Sequence, residues 1–149
     1  MNLNETLKRG IEEFTKGNFS NSEKIFTNII RKNPLFFPAY TNLIQILINQ
    51  NKLDEAMKYS EKLLNLDKNT EKALFYKGII KFKKFEYDKA LSDFKDALTI
   101  NPKNHIVLMN IGISYYRLGK NLEAIKYIKE SIHLNNKNEL AFYNLAAIY

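Results

Sequence analysis

The 149-residue chain contains no cysteine. That excludes disulfide bridges, thiolate nucleophiles and cysteine-based metal sites. Glycine and proline are scarce, with 5 and 3 residues, beside an apolar fraction of 45%. This balance argues against disorder and against collagen-like structure. Histidine occurs only at His105 and His133. Neither stands near a nucleophile motif, and no G-x-x-x-x-G-K-[ST] or G-x-G-x-x-G segment is present. Carboxylate pairs such as Glu12-Glu13 and Asp54-Glu55 fall on helix starts or solvent faces, where they serve helix dipoles. The expectation is a protein that is not an enzyme and needs neither cofactor nor metal. No stretch approaches the roughly 18 consecutive apolar residues of a membrane span. The opening Met1-Asn2-Leu3-Asn4-Glu5 lacks the basic and apolar order of a signal peptide. A cytoplasmic protein without membrane attachment is expected. In that setting the glycosylation-like Asn4-Glu5-Thr6 and Asn18-Phe19-Ser20 carry no meaning.

Arginine is limited to Arg9, Arg31 and Arg117, so lysine supplies most of the net charge of +7. The excess favours acidic partners without specifying nucleic acid. Wide use of Lys, Asn, Ile, Tyr and Phe reads as codon bias from an AT-rich genome. The basic run Lys81-Phe82-Lys83-Lys84 spreads its lysines over different faces of a helix. It therefore reads as solvated surface and disfavours nucleic-acid binding.

What the chain does have is a period of 34 residues. Gly10, Gly78 and Gly112 share one phase, Ser22, Ala56, Ala90 and Ala124 a second, Pro34 and Pro102 a third. The clearest unit, 71–104, places Leu74, Phe75, Gly78, Ile79 and Phe82 at helical spacing, then a short turn. A second stripe follows with Ala90, Leu91, Phe94, Ala97 and Leu98, closed by Pro102, which cannot continue a helix. A mid-helix glycine costs about 1 kcal/mol against alanine, so Gly78 is expected to meet Ala90 where the two helices cross. Ile44 takes the glycine's place in the second unit, which is expected to open that pair slightly. Arg9 and Glu13 replace apolar residues in the first helix, as a terminal capping repeat tolerates.

The run Leu108-x-x-Ile111-Gly112-x-x-Tyr115 followed by Ala124-x-x-x-Ile128, and Ala90-x-x-x-Phe94 followed by Pro102, resemble the tetratricopeptide repeat. Lys81 departs from the family's tyrosine, and Lys68 and Asn136 from its terminal proline. The resemblance covers essentially the whole chain. It implies one all-α domain over 1–149, a right-handed superhelical solenoid of antiparallel helix pairs. The repeats would be 3–36, 37–70, 71–104 and 105–138, with a partial repeat at 139–149.

The resemblance further implies that the first helices line a concave groove for a peptide segment of a partner protein. Its candidate lining is Asn42 and Gln45, then Lys72, Phe75, Tyr76, Ile79 and Lys83. Met109, Asn110, Ile113, Tyr116 and Arg117 follow, and last Tyr143 and Asn144. Asn42, Asn110 and Asn144 share one position and would offer amides to a peptide backbone. Some of the aromatics, Phe82 and Tyr116 especially, are expected to pack between repeats instead. Lys72, Lys83 and Arg117 would favour an acidic ligand. The carboxylate clamp of chaperone-binding members is not assembled. Asn42 and Lys72 fit it, but Leu7, Ile11 and Tyr76 stand at its other places. An alternative function is self-assembly through the helical ends, and a third is weak nucleic-acid binding. Phe142, Leu145, Ala146 and Tyr149 belong to a first helix whose second helix is not in the sequence, so either the native chain continues past Tyr149 or another chain covers them, a homodimer through residues 139–149 being one form of the latter.

Overall fold

The computed structural model describes residues 2–67 and 70–149. Lys68, one of the departures from the family pattern, lies outside them. Two compact units are present, within 1–68 and 69–149. Unit 1 holds α1 (Leu3–Thr15), α2 (Phe19–Lys32), α3 (Phe37–Asn49) and α4 (Leu53–Leu66). Unit 2 holds α5 (Glu71–Lys83), α6 (Tyr87–Ile100), α7 (His105–Arg117), α8 (Asn121–Leu134) and α9 (Glu139–Ile148). First helices thus begin at 3, 37, 71, 105 and 139, a spacing of 34 throughout. Among the described residues all regular structure is helical.

Each pair turns back through the same three-residue device. Asn18, Lys52, Glu86 and Lys120 donate their backbone N–H five residues back, to the carbonyls of Glu13, Leu47, Lys81 and Tyr115, over 2.8–3.0 Å. This closes the helix with a Schellman motif, which needs a left-handed residue just before the donor. The residues there are Gly17 (φ 81), Asn51 (φ 59), Phe85 (φ 63) and Gly119 (φ 74). Glycine and asparagine suit that conformation. A phenylalanine there is strained by about 1–2 kcal/mol.

Starts are set by side chains. Asn2 and Glu5 form a reciprocal capping box on α1. Asn104 accepts from the N–H groups of Ile106 and Val107, and Asn138 from that of Ala141. In unit 2 these caps also tie the start of one first helix to the start of the next. Asn101 and Asn104 donate their amide N–H groups to the two carboxylate oxygens of Glu71. One period later, the amides of Asn135 and Asn138 lie 3.3 and 3.5 Å from Nε2 and Nδ1 of His105. A neutral imidazole accepts at one nitrogen only, so its tautomer decides which contact is the hydrogen bond. The seryl hydroxyl of Ser131 donates to the His105 carbonyl over 2.6 Å, beside this clip.

The small residues do meet at Gly10, where the Ser22 hydroxyl donates to the glycine carbonyl over 2.6 Å. Ala56, Ala90 and Ala124 are fully buried, but each glycine comes closest to the residue four positions further along the second helix. A Cβ built on Gly10 would lie 2.6 Å from the Phe26 ring, and one on Gly78 2.5 Å from the Phe94 ring. The glycine makes room for a large side chain, and the alanine one turn earlier lets the second helix approach. At Gly112 the alanine's own backbone comes near as well, the Ala124 carbonyl oxygen standing 3.0 Å from the added Cβ. Ile44 is fully buried, and the backbones of α3 and α4 make fewer close approaches than those of α5 and α6. The α1–α2 pair, which has Gly10, is similarly sparse, so that residue is not the sole determinant of spacing.

The core of unit 1 is built from Phe26, Ile29, Tyr40, Leu43, Ile44, Leu47 and Leu63. In unit 2, Ala90, Phe94, Ala97, Val107 and Ile111 form one cluster, with Phe75, Ile79 and Phe82 against it. Met109, Ile128 and Ala141 form another.

Lys81, which stands in place of the family's tyrosine, has a partner. Its ammonium lies 2.6 Å from the carboxylate of Asp93 on α6, and both side chains are largely buried. One period further on, Tyr115 and Tyr127 occupy these same two places as stacked rings with centroids 5.5 Å apart. The Lys95 ammonium sits over the Tyr115 ring at 5.3 Å.

Candidate functional site

The first helices carry every expected groove residue, and the structure sorts them by what covers them. Lys72, Lys83 and Arg117 are exposed on α5 and α7. Tyr76, Asn110 and Asn144 are half-buried at one shared position of α5, α7 and α9. Burial pushes the Tyr76 phenol above its ordinary range. Each ladder asparagine makes the same local bond. The amides of Asn110 and Asn144 donate to the carbonyls of Ile106 and Leu140 over 2.8 Å. In unit 1, Asn42 donates to Pro38 over 2.7 Å, with Gln45 exposed one turn on. One N–H of each amide is therefore spent on its own helix, which fixes the amide and leaves the second N–H and the oxygen to be accounted for.

Other candidates turn inward. Phe75 packs on Phe94, centroids 5.9 Å apart, and Ile79 lies against the same cluster. Met109 is only 6% exposed and packs with Ile128 and Ala141. Ile113 lines that cluster too. These side chains present little to a ligand. Phe82 packs edge-on to Tyr87 with centroids 5.0 Å apart. The Tyr116 hydroxyl donates to the Ala147 carbonyl over 3.4 Å, linking α7 to α9. Tyr143 is widely exposed.

The terminal helix divides as well. Phe142 and Tyr149 are 47% and 80% exposed. Leu145 was expected beside them on the open face. It lies instead against the Met109 cluster, with Ile148, because α9 leans its buried side on α7 and α8.

Sequence reading missed the Lys81–Asp93 pair and the asparagine clips. The clips did leave a signal, asparagines at 101 and 135 and at 104 and 138, again 34 apart. A shallow hollow of about 420 Å³ on α2 is lined by Glu23, Lys24, Thr27, Asn28 and Arg31 and involves no groove residue. Among the described residues no group of three or more His, Cys, Asp or Glu side chains is placed to hold a metal ion. No helix among them is long and apolar enough to cross a membrane.

Stacked helix pairs of this kind recur in known proteins. A family model described as anaphase-promoting complex, cyclosome, subunit 3 matches residues 49–131, and a tetratricopeptide repeat model matches residues 7–70. Hsp70-Hsp90 organizing protein 1 of Glycine max is 31% identical over 107 residues, 72% of this chain but 19% of that protein. The chain thus spans about a fifth of the length of that relative. Among solved structures, PilF of Pseudomonas aeruginosa has a TM-score of 0.87 at 18% identity, covering 98% of this chain and 67% of that one. A thermophilic TPR protein of Thermus thermophilus has a TM-score of 0.86 at 19% identity, covering 99% and 81%. Both show the fold, an all-α arrangement of stacked helix pairs.

Proposed function

The chain belongs to the tetratricopeptide repeat family, and on that premise we propose that it is a protein-interaction adaptor, a binding module rather than an enzyme. The finer reading is that the first-helix face of unit 2 takes an extended, acidic segment of a partner protein. The observation that carries it is the exposed Lys72, Lys83 and Arg117 flanking half-buried Tyr76, Asn110 and Asn144. Aromatic area and fixed amides would grip the segment, and the cations would select its charge. Asn42 and Gln45 offer similar groups on unit 1.

The soybean relative is named as an organizer of Hsp70 and Hsp90. Leu7, Ile11 and Tyr76 leave the chaperone-tail clamp incomplete here, so chaperone tails are not the proposed ligand. The test is an acidic and neutral peptide array probed with the parent and with a Lys83→Glu, Arg117→Glu, Asn110→Ala variant. Acidic peptides should bind at least about tenfold less well to the variant, and its thermal melting should match the parent's within a few degrees. Equal binding by the two proteins would remove this face from consideration.

A second reading is self-association through α9, favoured by the exposed Phe142 and Tyr149. Burying each large apolar side chain at a contact would return about 1.5–3 kcal/mol. Phe142→Glu with Tyr149→Glu should then give a monomer under sedimentation at concentrations where the parent is dimeric. Leu145 is left intact because it packs inward. A monomeric parent at high concentration would end this reading.

A further inference from the structure

The repeats of unit 2 show what each position of a first helix receives, and so what the open side of α9 would accept. Four residues on that side have counterparts in the earlier repeats. Glu139 stands where Glu71 takes the amides of Asn101 and Asn104, and where His105 faces those of Asn135 and Asn138. Its carboxylate is exposed and has no hydrogen-bond or ion-pair partner among the described residues. Phe142 stands where Leu108 is 1% exposed, yet is itself 47% exposed. Ala146 takes the place of Gly78 and Gly112, which lie against Phe94 and Ile128 of the following helix, and it is exposed.

Tyr149 is the counterpart of Tyr115. Lys95 of α6 sits over the Tyr115 ring, and Tyr127 of α8 stacks on that ring. One period later, Lys129 of α8 sits over Tyr149 at 6.0 Å. Tyr149 is nonetheless 80% exposed. One side of α9 thus repeats, in spacing and in chemistry, the lining with which α5 holds α6 and α7 holds α8.

Those two second helices share a series. A large apolar residue, Phe94 or Ile128, follows four positions after Ala90 or Ala124. A small residue, Ala97 or Ser131, comes at seven, and asparagines at eleven and fourteen. We propose that the open side of α9 captures a helix of a partner protein that carries this same series, its two amides closing on Glu139. Ala146 seats the large apolar residue, and Tyr149 stacks on an aromatic placed as Tyr127 is. A second copy does not supply such a helix, because its own Ala90, Phe94, Ala124 and Ile128 are fully buried. The proposal therefore goes beyond self-association, which asks only for apolar area. It uses neither Tyr143 nor Asn144 of the first-helix face.

The test is an NMR titration of the isotope-labelled chain with a synthetic peptide of the sequence 121–138, which carries the whole series. An isolated helix of this length is marginal in water, so helicity should rise on mixing. Amide shifts should centre on residues 139–149, and a scrambled peptide should cause none. Replacing both asparagines of the series in the peptide by alanine should weaken binding about tenfold. Ala146→Leu in the protein should weaken it about as much, because it fills the seat. Ala146 is exposed, so that variant should melt with the parent, which separates lost capture from lost folding. The proposal fails if the peptide causes no shifts, or if they fall on α7, the mark of exchange with α8. It fails if Ala146→Leu or the scrambled peptide binds as well as the original. It fails too if the parent closes α9 on a second copy that the peptide does not displace.

Discussion

Asp93→Ala should destabilise the protein by about 3–5 kcal/mol in urea titration, the usual cost of leaving one member of a buried ion pair behind. The Lys81 ammonium, 2.6 Å from that carboxylate, would lose its counter-charge while remaining largely shielded from water. Converting both positions should behave differently. Lys81→Tyr with Asp93→Tyr copies the stacked Tyr115–Tyr127 pair found one repeat later. Two apolar rings need no desolvated charge, so the double variant should lie within about 1 kcal/mol of the parent or above it. A single variant as stable as the parent would show that the pair contributes no net stability. A double variant as damaged as the single one would show that α5–α6 cannot hold the rings that α7–α8 holds. Hydrogen exchange should place the Asp93→Ala loss in the affected repeat and its neighbours, since stacked repeats share energy mainly with the next one.

Gly112→Ala should also destabilise, by about 1–3 kcal/mol, against the trend of helix propensity. Alanine in a helix interior ordinarily gains about 1 kcal/mol over glycine. Here the new Cβ would lie 2.5 Å from Cγ1 of Ile128, 3.0 Å from the carbonyl oxygen of Ala124 and 3.2 Å from the backbone nitrogen of Ile128. A side chain can rotate away, but the two backbone atoms yield only if α8 moves. Gly78→Ala should cost less, because the three nearest atoms there belong to the Phe94 ring, a side chain that can shift. Chemical denaturation of the two variants side by side checks the order. A Gly112→Ala protein at least as stable as the parent would show that α7 and α8 separate freely.

The helix plan was legible because its signals are local. Gly10, Gly78 and Gly112, with Ser22, Ala90 and Ala124 twelve residues later, set the phase from which every first helix could be placed. Side-chain roles were less legible, because they depend on neighbours that the local pattern does not name. Phe75 and Met109 stand at groove positions by count, yet the Phe94 cluster and α9 cover them. Leu145 read as surface until α9 was seen leaning on α7 and α8. Lys81 looked like a defect because Asp93, which matches it, lies on another helix. Phe85 gave no warning at all. Phenylalanine carries no turn signal, and only the Gly-Asn-Gly series at the equivalent positions exposes its conformation.

The asparagine clips of unit 2 bear on how such an array changes length. Each clip reaches from the first residue of a repeat to the loop 30 and 33 residues on. The acceptor is a carboxylate in one repeat and an imidazole in the other, while the donors are the same Asn-x-x-Asn. Splicing out one 34-residue block that begins between residues 72 and 101 would bring an old donor pair to a new acceptor, Glu71 taking the amides of Asn135 and Asn138. The seam would be chemically satisfied on the first attempt, so loss of a whole repeat is less disruptive here than loss of a few residues.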